Sequence, residues 1–245
     1  MEGNSSMDMK KVFLVIVDIS GYTRFMKLHK ISLIHAEGII SQLLESVLQT
    51  SKYPLIAHEI EGDAVSFYAS SNGSREMATD IAKQIMQLFN AFKVKEAELV
   101  SDCSICICEA CANVAKLKLK AVAHHGDAVF SNVGQFQKLS GVDVILVHRL
   151  LKNSVKQDEY ILMTSAFDQM FDGFGTLKPH PRQEKCEGIG PVDVVVYFPE
   201  SSNTDTIPIK RNISSKLRMF TKLELYLLKR LLKSSSKNYR NLQNV

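Results

Sequence analysis

VFLVIVDISGYTRF, Val12 to Phe25, is the stretch that decides how this chain folds. Val12 to Ile19 is a nearly unbroken run of β-branched and apolar residues, interrupted only by Asp18. Such a run, lacking the alternation of a half-exposed strand, predicts a buried central strand, and Ser20 and Gly21 supply the turn that ends it. An aspartate at the mouth of that strand is an oxygen ligand in a fixed place. The N–H groups of the following turn, Ser20, Gly21, Tyr22 and Thr23, can donate to phosphate oxygens.

A second stretch carries the same kind of residue. HEIEGDAVSFYA, His58 to Ala69, reads as part of two short strands, Leu55 to Ile60 and Ala64 to Ala69, on either side of Glu61-Gly62-Asp63, where Gly and Asp suit a tight hairpin turn. If Asp18 and Asp63 converge, the chain offers the one or two carboxylates with which Mg²⁺ is usually held beside substrate phosphate and water. Taken singly, each has a plainer use, Asp18 as a helix cap and Asp63 as a turn residue.

Outward from these stretches the pattern alternates. Ile34, Ile39, Ile40, Leu43, Leu44, Val47 and Leu48 recur at helical spacing and predict an amphipathic helix over Ile31 to Thr50, stopped by Pro54. Met77, Ile81, Ile85, Met86, Leu88, Phe89 and Phe92 predict a second over Glu76 to Lys95. Lys116 to His124 and Ala128 to Phe136 read as a strand pair turning at His125-Gly126-Asp127. A helix over Val142 to Leu151, a strand over Tyr160 to Thr164, a helical turn from an N-capping Ser165 to Phe171, and a last strand over Val192 to Phe198 follow. Strands, hairpins and helices in that order predict an α+β or α/β domain with a mixed sheet and packed helices.

With 245 residues, 45% hydrophobic and 23% charged, the composition is that of a globular protein. The organisation expected is a disordered N-terminus over 1–11, one domain over 12–199, and a linker and tail over 200–245. The net charge of +4 hides an asymmetry: from Ile207 onward ten Lys or Arg face one acid, Glu224, so the tail carries +9 and the preceding residues −5. A nucleic-acid reading from overall charge would rest on the wrong segment, and none is expected. Lys216 to Lys233 places Leu217, Phe220, Leu223, Leu227, Leu228 and Leu231 at helical spacing among lysines and arginines. Such a basic amphipathic helix suits an anionic membrane surface, a partner's groove or the chain's own acidic domain. The apolar runs are strand-length, far below the roughly 20 residues of a membrane span, and no secretory leader is recognised, so a soluble cytoplasmic protein is expected.

Together, VDISGYT (Val17 to Thr23), the Gly62-Asp63 hairpin tip, the His125-Gly126 segment and a helix ending in Arg149 resemble the class III nucleotidyl cyclase catalytic domain over about Val12 to Phe198. The resemblance implies an α+β, ferredoxin-like sandwich with a mixed, mainly antiparallel sheet, working as a homodimer. It also implies two Mg²⁺ or Mn²⁺ ions held by Asp18, Ile19 and Asp63, and a transition-state arginine at Arg149. The reaction implied converts a nucleoside triphosphate to a 3′,5′-cyclic nucleotide and pyrophosphate. Base selection maps onto Glu59, as in guanylate cyclases, and onto Lys138, which fits neither purine pattern. Lys138 could donate to a base carbonyl or pair with Glu59. The ribose-orienting asparagine of the family is matched by Ile145, which has no hydrogen-bonding group. A second reading follows, of a cyclase fold that binds nucleotide or a signalling partner without turnover. EIEGDAVSFY (Glu59 to Tyr68), KLSGVDVILVHRLLKN (Lys138 to Asn153) and a CxCxxC cluster are similar to an uncharacterised bacterial offshoot of this superfamily.

That cluster, Cys103, Cys106, Cys108 and Cys111, gathers four of the chain's five cysteines. In a reducing compartment such density suits a structural Zn²⁺ or an Fe–S centre, with His124 or His125 able to replace a thiolate, or else a set of small half-buried thiols. His124-His125-Gly126-Asp127 reads as strand-end structure rather than a general base. No G-x-S-x-G elbow and no phosphate loop of the G-x-x-x-x-G-K-[ST] type occurs. Elemental analysis of the purified chain decides between the cysteine readings: a structural site gives zinc at one ion per chain, lost in the Cys106→Ser, Cys108→Ser double variant. A wild-type protein free of zinc and iron leaves the half-buried thiols.

Overall fold

The computed structural model describes residues 7–28, 33–102 and 109–199. In chain order the strands are β1 (Asp8–Ser20), β2 (Ile56–Glu61), β3 (Ala64–Ser70), β4 (Lys118–Val133), β5 (Phe136–Ser140), β6 (Tyr160–Thr164), β7 (His180–Cys186) and β8 (Gly190–Tyr197). The helices are α1 (Tyr22–Leu28), α2 (Leu33–Thr50), α3 (Arg75–Asp102), α4 (Glu109–Ala112), α5 (Val142–Leu150) and α6 (Ser165–Asp168).

β1 lies inside one eight-stranded sheet of order β2-β3-β1-β4-β6-β8-β7, with β5 paired to β4. Only β4 and β6 run parallel; the other pairings are antiparallel. The fold is therefore α+β, as the sequence predicts. Side chains alternate across a strand, and both faces of β1 are covered. Phe13, Val15, Val17 and Ile19 enter one apolar cluster, with Leu43 and Val47 of α2 and Ile85 and Phe89 of α3. Val12, Leu14 and Ile16 enter the other, with Leu146, Val147 and Leu150 of α5. Two-sided burial is why β1 reads as a continuous apolar run, and it places Asp18 on the α5 face, next in step after Ile16.

Four expectations are corrected. The N-terminus expected to be disordered over 1–11 is strand from residue 8, where β1 begins in pairing with β4. No hairpin turn exists at His125-Gly126-Asp127: β4 runs unbroken from Lys118 to Val133, and the turn falls at Gly134, whose φ of 63° suits a residue without a Cβ. Gly126 is a packing position instead. A Cβ there would collide with the Asp143 carboxylate and the His124 ring. Ser165 does not cap α6; its hydroxyl donates to the Asp193 carbonyl at 3.1 Å, and Thr164 holds the N-cap position. The sequence reading also lacked β5 and β7, whose largely exposed residues give no apolar pattern.

Helix α2 begins within its predicted span, whose first residues, Ile31 and Ser32, lie outside the described residues, and α3 runs beyond Lys95 to Asp102. The linker, the basic tail, and Cys103, Cys106 and Cys108 also lie outside them. Among the described residues no helix is long and apolar enough to cross a membrane. Asp143 ties α5 to β4 by accepting from the Asp127 N–H at 2.6 Å, so Gly126→Ala should destabilise the protein by about 1–3 kcal/mol in urea unfolding. An unchanged midpoint would show that Asp143 moves aside without cost.

Candidate functional site

Strand register builds the site. Asp18 pairs with Ala64 on β3 and with Lys120 on β4, so the hairpin tip and a lysine flank it directly. The Ile19 N–H donates to the Asp63 carbonyl at 3.2 Å, which holds the tip against the end of β1. Gly62, with φ 61°, makes the turn that brings the next residue round. The Asp18 and Asp63 carboxyls therefore lie side by side.

Their proximity shows in the protonation of Asp63, whose pKa is pushed up to about 7. Burial is the largest cause, followed by the Asp18 carboxylate, which stabilises the protonated form as a hydrogen-bond partner and disfavours a second negative charge. A backbone hydrogen bond and the charge of Lys120 pull the other way. Tyr22 feels the same centre: burial raises its pKa first, with the charges of Glu37 and Asp63 adding.

Lys120 was not found from the sequence. Its ammonium stands 3.1 Å from Asp18 Oδ2, with side-chain exposures of only 19% for Lys120 and 16% for Asp18, and it donates to the Leu151 carbonyl at 3.4 Å. The signal lay in Lys116-Leu117-Lys118-Leu119-Lys120, a strand-period pattern that reads as a solvated lysine face. Lys118 is tied as well, to Glu96 at 2.8 Å.

Ile19 is buried, so only its main chain could reach a cation at the strand end. Ser20 is buried, Gly21 turns the chain with φ 88°, and Tyr22 and Thr23 open α1. A cavity of about 390 Å³ opens beside this turn, and Gly21, Arg24, Lys116 and Lys118 are among its lining residues. Asp158 lines it too and Lys118 is held by Glu96, so Arg24 and Lys116 are the cations it offers an anionic ligand, and neither Asp18 nor Asp63 is in its lining. A smaller cleft of about 60 Å³ lies between β2, β3 and α5, lined by Ile16, Glu59, Ser66, Leu139, Val147 and His148 among others. Glu59 thus reaches a cleft on the α5 face. Lys138 does not: on β5 the alternate residue Leu139 points in, Lys138 is exposed, and the two make no ion pair among the described residues.

Arg149, at the end of α5, packs its guanidinium against Gly188, where a Cβ would sit 3.0 Å from Nη1, and makes no ion pair with either aspartate among the described residues. Ile145 is 50% exposed on the same helix. His124 is buried mid-strand, with Nδ1 2.7 Å from Thr164 Oγ1 and Nε2 3.4 Å from Asp143 Oδ1. Burial lowers its pKa against the pull of Asp143, so it packs as a neutral ring. Burial likewise lowers His125, whose Nε2 lies 3.0 Å from Ser71 Oγ. Neither histidine touches the aspartate pair, and Cys111 is partly buried against the core.

Among the described residues no group of three or more His, Cys, Asp or Glu side chains converges as a metal cage. Two hard carboxylates nevertheless fit an ion that completes its shell with substrate and water, as Mg²⁺ does.

Residues 40–160 match a family described as a protein of unknown function (DUF2652). The chain is 33% identical to the uncharacterized Mycobacterium tuberculosis protein Rv2561/Rv2562 over 169 residues, 69% of this chain and 76% of that protein. Among solved structures it is similar to the adenylyl cyclase CyaB from P. aeruginosa, with a TM-score of 0.60 and 15% identity over 80% of this chain and 98% of that one. The guanylyl cyclase Cya2 gives a TM-score of 0.57 and 14% identity over 80% and 96%. The guanylate cyclase domain of RhGC from Catenaria anguillulae, in complex with GTP, gives 0.50 and 14% over 78% and 97%. At these identities the likeness is one of fold: the domain has the architecture of adenylyl and guanylyl cyclase catalytic domains.

Because folding raises Asp63 from 3.8 to about 7, the stability it contributes is full below the lower value and is lost as pH rises through the upper one. The melting temperature of the wild type should fall more steeply than that of Asp63→Asn between about pH 5 and about pH 8. Parallel slopes in circular dichroism melts would contradict the close pairing of the carboxyls.

Proposed function

We propose that this chain, which belongs to the same family as the uncharacterized Mycobacterium tuberculosis protein Rv2561/Rv2562, is a nucleotidyl cyclase-like protein. It would convert a nucleoside triphosphate to a 3′,5′-cyclic nucleotide and pyrophosphate, at a site completed between two copies of the chain. One observation carries the proposal: Asp18 and Asp63, distant in sequence, meet at the end of the central strand, where the Lys120 ammonium stands against Asp18.

The chemistry that Mg²⁺ or Mn²⁺ supplies when bound there is Lewis-acid polarisation of phosphate oxygens and of the attacking ribose 3′-hydroxyl. The residues do the rest. Asp18 and Asp63, with the Ile19 main chain between them, would hold the cation, and the Asp63 carboxyl would give up the proton that its pKa of about 7 lets it keep in the cation's absence. The cavity beside Ser20 to Thr23 would take the phosphates. Glu59 would read the base from its cleft, and Lys138, exposed on β5 outside that cleft, is left without a part in it. Arg149 packs away from its own aspartates, so its charge would serve the α-phosphate bound to the second copy. The resemblance implies two metal ions; how many the pair accepts depends on Lys120.

A second reading is favoured by Ile145, which faces solvent where a ribose-orienting amide would be needed. It keeps nucleotide binding, or partner binding in signalling, and drops turnover. Incubating the full chain with Mn²⁺ and each of the four ribonucleoside triphosphates separates the two. An enzyme yields a cyclic product that falls by at least ~100-fold in Asp18→Ala, the scale on which removing one charge-stabilising group slows such chemistry. Calorimetric binding of a triphosphate without product supports the second reading. A product that survives in Asp18→Ala contradicts the assigned site.

A further inference from the structure

We propose that Lys120 is a resident cation of the aspartate pair: its ammonium holds one of two cation positions, so the site takes one divalent ion per chain. This rests on the reading of Asp18 and Asp63 as cation ligands.

The lysine is placed by the sheet. Asp18 and Lys120 are direct cross-strand partners on β1 and β4, so their side chains leave the same face at neighbouring points, whatever a solvated lysine would otherwise prefer. Both ends of the interaction are held. Nζ lies 3.1 Å from Asp18 Oδ2 and 3.4 Å from the Leu151 carbonyl. That carbonyl belongs to a segment tied down in turn, because Asn153 Nδ2 donates to the Leu150 carbonyl and to the Tyr160 hydroxyl, each at 2.7 Å. Tyr160 is itself the β6 partner of Lys120 in the register. The pair is mostly screened from water, and withdrawing the ammonium would leave Asp18 as an uncompensated, largely buried charge.

Ligand supply and charge then limit what else can enter. Two-metal sites set their ions about 3.5–4 Å apart and need oxygens that serve both. Here Asp18 Oδ2 already serves Lys120, and among the described residues no third acid, histidine or cysteine joins the pair. Two carboxylates and one ammonium sum to −1. One divalent ion brings the cluster to +1, whereas a second would bring it to +3 with no added carboxylate. A single ion beside the fixed ammonium is the balanced arrangement.

Titration of the full-length chain with Mn²⁺ alone, read by the loss of the free-ion EPR signal, tests this without any assay of turnover. Wild type should bind one Mn²⁺ per chain, Lys120→Arg one, and Lys120→Met two, with circular dichroism melts confirming that each variant is folded. Two ions in wild type would overturn the inference and leave the cation-binding reading standing, and this arm needs no variant. One ion in a folded Lys120→Met would equally overturn it, since the lysine would then hold no position. No binding in any of the three would remove the cation-binding reading itself, and the inference with it.

Discussion

The register of β1 between β3 and β4 is the constraint on which the rest of the structure depends. Asp18 faces Ala64 on one side and Lys120 on the other, and a slip of one residue would turn it toward α2 and α3 and away from both. Two-sided burial prevents that slip. Phe13, Val15, Val17 and Ile19 are committed to one apolar cluster, and Val12, Leu14 and Ile16 to the other, so a shift would invert every one of them. The core fixes the chemistry through the strand.

The two faces of the sheet divide the labour. α2 and α3 cover one face with closely packed aliphatic and aromatic side chains, and the buried Glu96 of α3 is paired with Lys118 at 2.8 Å. The shorter α5 covers only part of the other, and the polar groups collect where it ends: Asp18 with Lys120 beside Leu151, and Glu59 in the cleft by His148. Gly126 lets this helix dock, because the Asp143 carboxylate occupies the space a Cβ would fill. The aspartate pair is left short of positive charge. Lys120 compensates one carboxylate, and Asp63 keeps its proton up to about pH 7, which is the state expected of a centre built around a cation.

Much of this was legible in the sequence, and the failures have physical causes. The apolar run of β1, the Gly62-Asp63 turn and the helical spacing of α2 and α3 are local signals that tertiary packing reinforces, so the fold and the meeting of the two acids could be anticipated. Gly126 misled because a glycine between histidine and aspartate looks like a turn, whereas here its missing side chain serves packing in mid-strand. β7 gave no period because it lies at the sheet edge, with most of its side chains in water. Lys120 was invisible because only the pairing of β4 with β1 turns a strand lysine into the partner of an aspartate a hundred residues away. Lys138 and Glu59 were expected to share a pocket, but strand alternation sends Leu139 into the cleft instead.

A cation centre where Asp18 and Asp63 meet is tested most directly by a crystal of the full chain soaked in Mn²⁺. Anomalous difference maps should show one peak within coordination distance of both carboxyl groups, with the Lys120 ammonium still beside Asp18. A map without a peak there, or carboxyl groups that turn away from one another, would contradict it.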